Sequence, residues 1–170
     1  MYGQKHRMSL LPRSVIQAAR RMIPPIDNPL VASTLRKGQS GRILVIGGSE
    51  EYTGAPYYSA ISAARTGADI VHVVCDPRAS SAIKSYSPEL IVHPLLDPKT
   101  GVEDSVAKVL ELAKRVHIVV LGPGLSRDDF MQNTAAAIVE ALRDMNKPLV
   151  LDADGLFLVQ NRPKIVKGFK

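Results

Sequence analysis

Arg42 to Val74 reads RILVIGGSEEYTGAPYYSAISAARTGADIVHVV and holds strand, glycine turn, helix and second strand in one unit. Ile43 to Ile46 are aliphatic and run straight into Gly47-Gly48-Ser49, the pattern of a buried parallel strand that breaks into a ligand-facing turn. The turn passes through Tyr52, Thr53 and Gly54 to a helix that opens on Ala55 and Pro56, so backbone N–H groups at its start can face an anion. Ala60, Ser62, Ala63 and Ala64 keep that helix thin enough to lie close to a sheet. Two phosphate motifs are excluded by spacing. A Walker loop needs four residues between its glycines and then Lys-Ser/Thr, whereas five separate Gly48 from Gly54 and no lysine follows. The Gly-x-Gly-x-x-Gly dinucleotide fingerprint does not fit either. A merely tight β–α turn is the plain alternative.

Working outward, strands are expected at Ile43–Gly47, Asp69–Cys75, Leu90–His93, His117–Leu121 and Pro148–Asp152. Helices are expected near Ala55–Thr66, Ser80–Lys84, Val102–Lys114 and Asp128–Met145, with Val106, Val109, Ala113 and Ile138, Leu142 at helical spacing. The alternation implies an α/β fold of three layers, a mainly parallel sheet with helices on both faces. Residues 1–34 form a basic segment, with a helix around Ser14 to Met22 and a connector containing Pro24, Pro25 and Pro29; residues 35–170 form the domain.

Ligands on such sheets bind beyond the carboxyl ends of the strands. Three loops qualify: Gly47 to Gly54, Gly122 to Ser126, and Asp152 to Gly155. Gly122 and Gly124 either satisfy backbone geometry or let a ligand approach the main chain without a Cβ in the way. Asp152 and Asp154 read equally as N-caps of a helix over Gly155–Gln160 or as ligand or metal contacts. Tyr52 and Tyr57 stack on a ring or wall the turn. His72, His93 and His117 lie in or beside apolar strands without metal-ligand spacing and read as hydrogen-bonded structural residues.

The formal charge of +6 is located in the first 21 residues, where Lys5, Arg7, Arg13, Arg20 and Arg21 stand without an acid, leaving 17 basic against 16 acidic residues beyond them. A nearly neutral body argues against a nucleic-acid face, and there is no tryptophan for base stacking. No apolar run approaches the roughly 18 to 20 residues a membrane span requires, so a soluble chain is expected. The single cysteine, Cys75, offers neither a disulfide framework nor a cysteine-based zinc site. A cytoplasmic location fits; the acid-free stretch Met8 to Met22 also admits a mitochondrial one.

EYTGAPYYSAISAARTGAD from Glu51, SPELIVHPLL from Ser87, LGPGLSRDD from Leu121 and LVLDADGLFLV from Leu149 occur in that order. Together they resemble the ATP-dependent NAD(P)H-hydrate dehydratase family of the ribokinase-like superfamily, in its eukaryotic form, from about Leu35 to Gly168. The resemblance implies a hydrated NADH or NADPH in its S form as substrate, ATP as phosphoryl donor with Mg2+, and metabolite repair by phosphorylation and loss of phosphate. It carries substrate contact onto Gly124 first, Ala55 second and Asp152 more weakly, with Gly122, Tyr52, Thr53 and Gly54 around them. The family usually has glycine where this chain has Ser126. Its Gly-x-Gly-Asp segment, the source of base and anion cradle, occurs nowhere in the 170 residues, so a domain incomplete at its C-terminal side, without catalytic residues of its own, is expected. Alternatives are a ribokinase-like kinase for a vitamin-type alcohol and a noncatalytic nucleotide-binding module. An open sheet edge would allow a homo-oligomer.

Overall fold

A computed structural model describes residues 36–169; the expected N-terminal helix and proline connector lie outside them. Five parallel strands, β1 (Arg42–Ile46), β2 (Ile70–Val74), β3 (Ile91–His93), β4 (Ile118–Leu121) and β5 (Leu149–Leu151), stand in the order β3-β2-β1-β4-β5. The helices are α1 (Gly54–Arg65), α2 (Pro77–Tyr86), α3 (Val102–Ala113), α4 (Asp129–Asp144) and α5 (Asp154–Asn161), followed by a 3-10 turn at Pro163–Val166.

Side chains alternate across the sheet with the two-residue period of a strand. Val45, Val71 and Val73 face α1 and α2 and pack with Ala60, Ala79 and Ile83. Leu44, Ile46, Val74, Val119 and Leu121 face the opposite way and pack with Val109, Ile138, Val139, Leu142 and Leu158 from α3, α4 and α5. This is the three-layer arrangement, and each aliphatic side chain so enclosed contributes on the order of 1.5–3 kcal/mol relative to exposure. Cys75 is fully buried at the end of β2, and burial, with Asp76 beside it, pushes its thiol up to about 12.

One helix differs from expectation. α2 begins at Pro77, three residues before the expected Ser80, because the buried Asp76 carboxylate caps it, accepting the Arg78 backbone N–H at 2.7 Å. The proline fixes the first helical position and the cap satisfies an orphan donor. The Arg78 guanidinium closes back on the same carboxylate at 2.6 Å and reaches Glu50 in the first loop.

Candidate functional site

The chain runs outward from β1 through β2 to β3, then returns to place β4 on the other side of β1. The strand order therefore reverses between β1 and β4, and loops leaving two such neighbours in opposite directions open a crevice. Gly47–Thr53 leaves β1 and Gly122–Asp128 leaves β4, so the first two candidate loops border that crevice. The third follows β5, the next strand along.

The three loops are sewn together through their main chains. Gly48 N–H donates to the Gly124 carbonyl at 3.1 Å, Gly122 N–H to the Ile46 carbonyl at 2.9 Å, and Asp152 N–H to the Leu121 carbonyl at 3.0 Å. Gly122 has φ +123°, and a Cβ there would run into the Asp152 carbonyl and the Gly155 nitrogen. Gly124 has φ +61°, and its Cβ would meet the Tyr52 carbonyl at 2.7 Å. Gly47 and Gly155 are held as closely, against Pro123 and Leu121. The sequence marks Gly47, Gly122 and Gly124 as turn or ligand-facing glycines and Gly155 as a helix start, but not the main chain against which each is packed.

A cleft of about 540 Å3 opens among these loops, lined by Tyr52, Ala55, Gly124, Ser126, Arg127, Ala153 and Asp154. Of the seven residues singled out from the sequence, Tyr52, Ala55 and Gly124 meet at this cleft. Thr53, Gly54, Gly122 and Asp152 are not among its lining residues. The Thr53 hydroxyl turns to the Tyr86 hydroxyl at 2.8 Å, Gly54 begins α1, and Gly122 and Asp152 join the loops behind the cleft.

The N-cap reading of Asp152 and Asp154 is overturned. α5 starts at Asp154, its cap position is Ala153 with no side-chain bond, and neither carboxylate caps it. The Asp154 carboxylate reaches back to the second loop instead, accepting the Ser126 backbone N–H at 3.0 Å and the Arg127 Nε–H at 2.9 Å. Gln132 of α4 donates to the Ser126 carbonyl at 2.8 Å, and the Arg127 guanidinium lies over the Phe157 ring, 4.6 Å from its centroid. Ser126, Arg127 and Asp154 thus form one side of the cleft. Two of its residues hold backbone angles uncommon for side-chain-bearing residues, Ser126 at φ 84° and Ala153 at φ 42°. Such angles gather at functional sites, where surrounding structure over-determines them.

His72, His93 and His117 lie away from this cleft's lining. His72 Nδ1 and His93 Nε2 are 2.9 Å apart, and His117 pairs with Arg42. Among the described residues no three or more of His, Cys, Asp and Glu come together as a metal-holding group.

A family profile described as NAD(P)H-hydrate dehydratase matches residues 43–169. An ATP-dependent (S)-NAD(P)H-hydrate dehydratase of Schizosaccharomyces pombe is 47% identical over 162 residues, covering 92% of this chain and 48% of the relative. The chain thus spans about half the length of the curated relatives it matches. A ribokinase-like superfamily protein from Enterococcus faecalis superposes with a TM-score of 0.64 at 24% identity, over 77% of this chain and 43% of that one. An ADP/ATP-dependent NAD(P)H-hydrate dehydratase from Bacillus subtilis, co-crystallised with ATP and Mg2+, superposes with a TM-score of 0.53 at 21% identity, over 73% and 41%. Both likenesses are of fold.

Proposed function

This chain belongs to the NAD(P)H-hydrate dehydratase family, and on that premise we propose that its cleft seats the hydrated nicotinamide cofactor in an ATP-dependent repair reaction of the cytoplasm. The observation that carries this reading is the meeting of Tyr52 from the first loop, Ala55 from the start of α1 and Gly124 from the second loop at the point where the strand order reverses. Gly124 brings main chain to the cleft wall, and Tyr52 offers an aromatic face there, 56% exposed. In the reaction, ATP phosphorylates the hydroxyl on ring carbon six, and the ring nitrogen lone pair expels phosphate to restore NADH or NADPH.

Phosphoryl transfer asks for a general base near the hydroxyl and a cradle for the moving charge. Magnesium with a nucleotide is held by one or two carboxylates and the phosphates themselves; the cleft's lining offers a single carboxylate, Asp154, already engaged by Ser126 and Arg127, and no Gly-x-Gly-Asp stands in the sequence, so these residues do not fit a magnesium–ATP site. The role of these residues in the reading is therefore binding and orientation of the nicotinamide substrate.

Titrating the 170-residue polypeptide with the S hydrates of NADH and NADPH tests this reading. Saturable binding is expected, without ATP-dependent recovery of reduced-nicotinamide absorbance above a no-protein control. Absence of binding would refute the proposed seat, and turnover would show that the catalytic groups lie within these residues after all.

A further inference from the structure

Arg127 stands at the cleft with its side chain 64% exposed, yet it is held from two directions. Its Nε–H is engaged by Asp154, a carboxylate whose side chain is only 15% exposed, and its guanidinium plane rests over Phe157. Asp154 is itself fixed by the Ser126 backbone N–H, and the loop carrying Ser126 and Arg127 is pinned by Gln132. The two terminal nitrogens, Nη1 and Nη2, make no hydrogen bond among the described residues. A planar fork with its stem fixed and its paired donors unused is the form in which arginine recognises phosphate.

Resting on the cofactor-binding reading, we propose that Arg127 is the phosphate-reading residue of this cleft, binding an anionic phosphate of the dinucleotide. A guanidinium merely neutralising Asp154 would need no aromatic support on its open face. Stacking on Phe157 and anchoring through Nε leave an edge donor pair whose direction is already set, so little rotamer entropy is lost when a phosphate arrives. Dinucleotides present two kinds of phosphate, the pyrophosphate common to both cofactors and the 2′-phosphate of the NADPH form alone.

Equilibrium titration of the wild-type chain, Arg127→Gln and Arg127→Lys with the S hydrate of NADH, the S hydrate of NADPH and inorganic pyrophosphate tests the assignment, with melting curves confirming that each variant folds. Arg127→Gln is expected to weaken hydrate binding tenfold or more and to flatten its dependence on salt. Arg127→Lys should recover part of the loss, as a point charge without the fork. Equal losses for both hydrates place the contact on the pyrophosphate; a larger loss for the NADPH hydrate places it on the 2′-phosphate. A folded Arg127→Gln chain that binds both hydrates within twofold of wild type overturns the inference and leaves the proposed function standing. Arg127-dependent binding of pyrophosphate, without binding of either hydrate, supports the anion site and refutes the nicotinamide reading.

Discussion

Ser126 is the residue at which sequence and backbone pull against each other. Its φ of 84° lies where glycine is at ease and a Cβ is crowded, which gives a physical reason for glycine at this position in the family. The residue stays there because its N–H, its carbonyl and its neighbour Arg127 are all engaged. Ser126→Gly removes a cost of about 1–2 kcal/mol, offset by about 0.5–1 kcal/mol of extra chain entropy in the unfolded glycine variant. The expected net is a gain on the order of 0.5–1 kcal/mol, read as a midpoint raised by roughly 1–4 °C in thermal melting. An unchanged or lowered midpoint would show that the loop carries no strain at this residue. Gly124 bears on how such variants are chosen. Gly124→Val, a direct way to fill the main-chain approach at this glycine, would first drive a side chain into Tyr52, so lost binding in it would report a displaced loop.

The strands were legible to within a residue or two at their ends, because β-branched runs such as Ile70-Val71 and Ile118-Val119-Val120 bounded by glycine and aspartate admit few other readings. α2 was half legible: its buried stripe is short and holds a serine, Ala79, Ser80 and Ile83, and Pro77 resembles a break until its cap on Asp76 is seen. The strand order was not legible, since β1 meets β4 only after three crossovers that no local pattern encodes. Nor was the Asp154–Arg127 pair, whose partners are 27 residues apart. The elements β2 and β3 carry a pH dependence of their own. His72 and His93 share one hydrogen bond, and burial, the main cause in both, holds them below the ordinary imidazole range, with Arg115 adding repulsion to both and Lys84 to His93. The pair can take one proton and keep its bond; a second sets N–H against N–H. The unfolded chain binds protons first as pH falls past about 6.5, so stability is full above that value and drops below it. The urea midpoint is expected to fall between pH 7.5 and pH 5.5, and to fall less in His93→Gln. Equal slopes for the two proteins would refute the assignment to this pair.

At the scale of the whole molecule, among the described residues nothing pairs with the outer edge of β5, where Val150 is 46% exposed. Leu149, Leu151, Val166 and Phe169 line a hollow of about 390 Å3 beside it. An open edge next to apolar surface recruits another strand, so the 170-residue polypeptide is expected to self-associate as its concentration rises, and Val150→Lys to reduce the effect. A single monomeric mass by light scattering across a hundredfold concentration range would contradict this. The return of β4 to the far side of β1 has a further consequence, in time. β1, β2 and β3 are joined in succession and can assemble as each leaves the ribosome, but the cleft has only one wall until β4 docks, and Gly48 cannot meet Gly124 before 76 further residues have been made. Ordering of the cleft is thus expected late in folding, and a ligand bound there would stabilise the docking of β4 rather than the assembly of β1 to β3.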